Sequence, residues 1–212
     1  MASSDYLNDI KEIKHLMNRS SRFISLSGLS GVMAGIYALI GAWFAKQELA
    51  KAALNKIDMR TGHYEATTSE VTFNLLLIAT IVVVLAIVTG IFLTQRKAKK
   101  NNEKMLDKSA IKLLVNFLIP LITGGIFTLV ILQRGLVGLV APTTLIFYGL
   151  ACVSASKFTY GHVKYLGFSN IILGLIATQY IGYGLYFWAI GFGIFHIVYG
   201  TWMYILLEQN TK

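Results

Sequence analysis

Long apolar stretches separated by short polar ones run through the chain, and their lengths define its elements. A bilayer core of about 30 Å is crossed by about 20 apolar residues in a helix rising about 1.5 Å per residue. Four stretches of that size come first, at 23–45, 71–94, 113–133 and 135–156. Only Arg134 separates the third from the fourth, which predicts a tight hairpin. The last stretch, 165–207, has 43 residues and no Asp, Glu, Lys or Arg. As one helix it would measure about 64 Å, about twice the core thickness, so it must fold back. Its weakest helical point is Gly182-Tyr183-Gly184, because glycine is poor inside helices and common in turns. Spans near 166–181 and 185–207 follow. The pattern therefore predicts an all-α integral membrane protein, a six-transmembrane-helix bundle over residues 23–207 with a short tail at 208–212.

The polar ends carry a second pattern. Leu7, Ile10, Ile13, Leu16 and Met17 recur at spacings of three and four, which predicts an N-terminal amphipathic helix within residues 1–22. Its Lys11, Lys14, Arg19 and Arg22 suit an anionic leaflet, and the expected role is an in-plane anchor leading into the first span. A cleavable signal has an apolar core of about 7–15 residues. The longer stretch at 23–45, preceded by Asp5, Asp9 and Glu12, reads as a retained span. Between the first two spans, 46–70 is the one long connection on its side, and Leu49, Ala52, Ala53, Leu54 and Ile57 extend the first helical pattern into it.

Charge sets the orientation. The segments 1–22, 95–112, 157–164 and the C-terminal tail hold 14 Lys and Arg, among them Arg96, Lys97, Lys99, Lys100, Lys104 and Lys108. The opposite side, 46–70 and Arg134, holds 5, offset by 4 acidic residues. The positive-inside rule makes the first set cytoplasmic, with both termini there, in a bacterial-type inner membrane. Trp43, Tyr183, Tyr186 and Trp188 then fall near the outer interface, Trp202 and Tyr204 near the inner. Although the net charge is +9, the basic residues flank apolar runs, so nucleic acid is not the expected partner. Hydrophobic residues make up 55% and charged residues 14%, against about 25% charged in soluble domains. Cys152 is the single cysteine, which excludes an intrachain disulfide and a CxxC site.

Two helix pairs look alike. Phe168-Ser169-Asn170-Ile171-Ile172-Leu173-Gly174 lines up with Leu29-Ser30-Gly31-Val32-Met33-Ala34-Gly35, and Ile146-Phe147-Tyr148-Gly149 with Ile197-Val198-Tyr199-Gly200. This suggests three related helical hairpins. Glycines also recur seven apart, two helical turns, at Gly28/Gly35, Gly167/Gly174 and Gly193/Gly200, with Gly31 four before Gly35. Small residues on one face let backbones approach in lipid, which predicts tight packing among the first, fifth and sixth spans.

Polar residues inside the spans must point into the bundle, because unpaired polar groups in lipid cost several kcal/mol. Ser30, Asn116, Tyr148, Asn170, His196 and Tyr199 form an expected polar layer toward the cytoplasmic side, and they are the candidate ligand-binding residues. Asn170 lies 13 residues before Tyr183 and His196 lies 13 after it, which places them at similar depth. Interhelical hydrogen bonding accounts for such a layer as readily as a cavity for a small solute, ion or lipid group does.

Gly28-Leu29-Ser30-Gly31 together with His196 resembles the Ser–His pair of rhomboid intramembrane proteases. The resemblance implies Ser30 as nucleophile and His196 as its base. It departs from the family in placing the serine on the first span rather than the fourth. No metal or cofactor is expected: four dispersed histidines do not make a zinc set, and a bis-His haem site needs two facing ones. No Asp or Glu lies inside a span, which disfavours a carboxylate proton relay.

The leading expectation is a non-enzymatic membrane protein that binds or passes a small solute or lipid-like molecule through an inner-half polar cavity. The alternative is a sensor or assembly factor meeting a cytoplasmic protein partner through residues 4–22 and 95–108. Self-association is compatible with either.

Overall fold

The computed structural model describes residues 27–58, 64–100, 108–159 and 161–206, the side chains at 54–58 and 64–69 excepted. These residues are helical apart from short turns. The elements are α1 (Gly28–Asp58), α2 (Tyr64–Lys100), α3 (Lys108–Gln133), α4 (Val140–Ala155), α5 (Val163–Ala177) and α6 (Gly184–Tyr204). Short 3₁₀ turns at Val137–Leu139 and Ser156–Phe158 flank α4. The amphipathic segment expected within 1–22, the tail 208–212 and residues 101–107 of the basic connection lie outside the described residues.

Among the described residues, five helical stretches are long and apolar enough to cross a membrane: Gly28–Ala53, Glu70–Lys100, Lys108–Gln133, Val137–Phe158 and Gly184–Tyr204. Helix α5, with 15 residues, is shorter. The distribution of burial matches lipid as solvent. Large apolar side chains such as Phe73, Ile81, Val88, Phe92, Ile119 and Ile172 are exposed, whereas Ala38, Ala42, Ala151 and Ala155 are buried. In water such a surface would be an aggregation liability; in lipid it is the outer wall, and small residues let the helices meet. The chain is accordingly a multi-pass membrane protein.

Two of the turns between apolar helices are set by glycines. At the end of α3, Leu136 N–H donates to Ile131 O and Gly135 N–H to Leu132 O, with Gly135 at φ +74°. This is a Schellman cap, whose left-handed residue favours glycine. Between α5 and α6, Tyr183 N–H donates to Tyr180 O across Gly182 at φ +101°. Gly182 occupies the turn position that needs positive φ. The 43-residue apolar run thus folds back where its glycines stand.

Packing follows a definite order. Helix α2 lies on α1, α3 on α4, and α4 on α5, while α6 runs along α1, touches α4, and meets α5 only lightly. Glycines set the closest approaches. A methyl group added at Gly28 would lie 2.6 Å from Gly200 O, and one at Gly35 2.6 Å from Gly193 O, so α1 and α6 touch backbone to backbone. A methyl at Gly149 would lie 2.6 Å from Gly167 O, and one at Gly174 3.0 Å from Pro142 O, which joins α4 to α5. The glycine spacing therefore marks two separate joints. The expected clustering of the first, fifth and sixth spans is corrected: α5 uses its glycines on α4, because Gly149 and Pro142 are where its backbone finds room.

Candidate functional site

The polar residues of the spans divide into two groups. Ser30 Oγ donates to Ser27 O at 2.6 Å, and Asn116 Nδ2 to Lys112 O at 2.8 Å. Both satisfy themselves on their own helix, as short polar side chains in helices do. Tyr199 is half-buried on α6, its ring edge-on to Trp202 at 6.5 Å. The second group joins different helices: Tyr148 of α4, His196 of α6 and Asn170 of α5.

The geometry around His196 starts from a local departure in α6. Residues Ala189–Ile194 form a π-helical segment, with Phe195 N–H donating to Ile190 O five residues back. Two glycines, Gly191 and Gly193, lie within it, and glycine tolerates the wider turn. His196 Nδ1 lies 2.9 Å from Gly191 O, also five residues back. A carbonyl only accepts, so Nδ1 carries the proton. His196 Nε2 lies 2.5 Å from the Tyr148 hydroxyl. With no carboxylate in the layer to offset a buried charge, the ring is neutral and Nε2 accepts from Tyr148. One hydrogen-bonded line therefore runs from α4 through the imidazole to the α6 backbone.

Rings surround this line. Trp188, Phe192 and His196 follow one another up α6 at four-residue steps, with centroids 5.0 and 5.9 Å apart. Tyr148 packs 4.9 Å from Phe192 and 5.2 Å from His196, and Phe117 of α3 meets Tyr148 edge-on at 5.9 Å.

Asn170 is fully buried on α5. Its Nδ2 donates to Leu166 O at 2.9 Å, but its Oδ1 has no hydrogen-bond partner among the described residues. That oxygen faces Gly191: a methyl added there would stand 2.6 Å from it. Asn170 and His196 thus approach the same glycine, one at its Cα and the other at its carbonyl. They make contact with one residue rather than with each other. A buried carbonyl without a donor is costly, on the order of 1–3 kcal/mol, and marks a place where a donor is missing.

At the α5–α6 turn a cleft of about 410 Å³ is lined by Tyr180, Tyr183, Tyr186, Phe187 and Ile190. Of this lining, Ile190 immediately precedes Gly191, the glycine that Asn170 faces, in the chain. Tyr183 and Tyr186 are read in the sequence as interfacial aromatics, whereas Tyr180, Phe187 and Ile190 carry no signal beyond their residue type.

The pair that the rhomboid resemblance requires is not formed. Ser30 Oγ is committed to Ser27 O, and both His196 nitrogens are engaged by Tyr148 and Gly191. No known protein family, curated protein or solved structure matches the chain.

Proposed function

We propose that this protein is a six-span component of a bacterial-type inner membrane, with both termini cytoplasmic, that binds or passes a lipid-like molecule between α5 and α6. The ligand is a neutral apolar molecule ending in a hydroxyl or amine. The single observation that carries this reading is the buried Asn170 Oδ1, which has no donor. The aromatic cleft at the α5–α6 turn receives the apolar body, and the terminal donor reaches Asn170 past Gly191. One feature supports access by this route: helix α5 is held chiefly by α4 and touches α6 only lightly. Beside Gly191 the space is filled by Leu145, Asn170 and Leu173, so the ligand enters by parting α5 from α6. The Tyr148–His196–Gly191 line fixes the π-helical segment against which the ligand lies. The chemistry asked of the site is recognition, with no bond made or broken.

Thermal unfolding in detergent tests this with a long-chain alcohol and its methyl ether. The alcohol is expected to raise the unfolding temperature of the wild type, the ether to do so less, and Asn170→Leu to abolish the difference. Equal stabilisation by alcohol and ether would contradict the reading.

A second reading is favoured by α2. Its 37 residues, about 56 Å of helix, exceed the bilayer core and carry Arg96, Lys97, Lys99 and Lys100 at one end. A cytoplasmic acidic partner docking on that end, as a sensor or assembly factor requires, would be lost on replacing these four residues with Gln.

A further inference from the structure

The two glycine joints are copies of one another. In the first, a methyl at Gly28 would meet Gly200 O and Tyr204 N, one at Gly35 would meet Gly193 O and Ile197, and one at Gly200 would meet Val32 N. In the second, a methyl at Gly167 would meet Gly149 O and Val153 N, one at Gly174 would meet Pro142 O and Ile146, and one at Gly149 would meet Ile171 N. Moving from the first to the second adds 139 to each α1 number and subtracts 51 from each α6 number. Each joint sets backbone against backbone at close-packed distance, so each pair of helices behaves as one body. Helix α2 belongs with α1, and α3 with α4, because those are the helices they pack on.

Side chains make the seam between the two bodies. Near the α5–α6 turn, a methyl at Gly184 would lie 3.1 Å from Ala141 Cβ. Half-way along, Leu145, Asn170 and Leu173 close on Gly191, while Tyr148 packs on Phe192 and bonds to His196. At the far end His162, at the start of α5, meets Trp202 of α6 edge-on at 5.1 Å. The two copies part company at this seam. Asn170 stands where the first copy has Gly31, and His196 where the second has Leu145. Both exceptions are polar, and both touch Gly191.

We propose that α4–α5 swings as one body away from α1–α6 about the α5–α6 turn, with the Tyr148–His196 hydrogen bond as its latch, and that the swing admits the ligand to Asn170. In its role the swing rests on the reading that a lipid-like molecule binds between α5 and α6. Asn170 is fully buried and the space beside Gly191 is filled, so a ligand reaches the amide only when these helices part. Helix α5 cannot leave α6 alone without splitting its backbone joint with α4. The pair therefore moves together, and Tyr148 of α4 is carried off His196 of α6. The latch is light. A released Tyr148 hydroxyl keeps its contact with the Cys152 sulfur one turn along its own helix. The pivot is the turn that joins the bodies, where Gly182 at φ +101° and Gly184 flank Tyr183. Hinges are a few element-terminal residues that absorb the change in backbone angle. The His162–Trp202 contact, farthest from the pivot, opens most.

The test measures spin-label distances in the full chain in lipid nanodiscs, with Cys152→Ala removing the native thiol. Phe168 on α5, Leu150 on α4 and Val198 on α6 are exposed and take the labels. Phe168→Cys with Val198→Cys spans the seam, and Phe168→Cys with Leu150→Cys lies within one body. A long-chain alcohol is expected to lengthen the seam pair by about 4 Å, the thickness of an alkyl chain touching both walls, and to leave the other pair unchanged. Without alcohol, Tyr148→Phe should raise the long-distance population about threefold, the factor an average interhelical hydrogen bond is worth in a membrane. His196→Phe, which removes the other half of the latch, should do the same. Alcohol that raises the unfolding temperature while the seam pair stays fixed would overturn the swing and leave the ligand reading standing. Equal lengthening of both pairs would overturn it too, since α5 would then move alone, and so would a seam indifferent to both latch variants. A seam that opens in Tyr148→Phe, in a protein that alcohol neither opens nor stabilises, would keep the swing and remove the ligand.

Discussion

Gly191 stands between Asn170 and His196: its carbonyl accepts from His196 Nδ1 at 2.9 Å, and its bare Cα faces the unpartnered Asn170 Oδ1. One residue of a π-helical segment thus joins a satisfied polar group to an unsatisfied one. The π turn presents the carbonyl to the ring, and the missing side chain lets α5 bring its amide close.

Tyr148 and His196 are coupled across α4 and α6, so their substitutions should not add. Tyr148→Phe leaves Nε2 without a donor, and His196→Phe leaves the hydroxyl only its contact with the Cys152 sulfur. Interhelical hydrogen bonds in membranes average about 0.6 kcal/mol and reach about 1.7. A double-mutant cycle on unfolding free energy is expected to give a coupling of about 1 kcal/mol. Strict additivity would show that the bond contributes nothing.

Gly167 and Gly28 should be intolerant, because added methyl groups would meet backbone atoms of α4 and α6. Alanine at either position should cost about 1–3 kcal/mol by overpacking, and leucine more. Gly125, with nothing within 4 Å, is the control: Gly125→Ala should leave stability unchanged or raise it slightly, since alanine favours helix. Thermal unfolding in one detergent separates these outcomes, and equal sensitivity at Gly125 and Gly167 would refute the joint.

Cys152 of α4 is buried, at 2% exposure. A thiol-reactive dye should label it only as the bundle opens. Its labelling midpoint should coincide with loss of helical signal, and Gly167→Ala should move both together. Rapid labelling of the native protein would contradict the packing of α4.

Helix α2 depends on α1 for its attachment, through Tyr37 to Thr89 and through Asn74 Nδ2 donating to Glu48 at 3.2 Å. Tyr37→Phe with Asn74→Leu should raise hydrogen exchange in α2 while leaving α4 and α5 protected. Uniform loss of protection would mean that α2 is integral to the bundle rather than appended to it.

Much of this architecture was legible because lipid imposes simple rules. Apolar length gave the helices, and Gly135 and Gly182 stand where turns were expected. Seven-residue glycine spacing gave close-packing faces, since a backbone contact needs small residues at two-turn intervals. It did not give partners: Gly167 and Gly174 chose α4, and nothing in α5 alone names the opposing helix. For the polar layer, residue type located Tyr148, His196 and Asn170. It could not separate them from Ser30 and Asn116, which bond to their own helices. That distinction depends on side-chain direction. The π-helical segment had no sequence signal beyond two nearby glycines, and it is what brings Gly191 to both partners.

The central claim is that Asn170 Oδ1 awaits a donor carried by a lipid-like molecule. Native mass spectrometry of the protein released from its own membrane measures this most directly. The wild type is expected to carry a neutral adduct bearing a hydroxyl or amine, and Asn170→Leu, folded to the same extent, is expected to lose it. A wild type of bare chain mass, or an adduct retained equally by Asn170→Leu, would contradict the account.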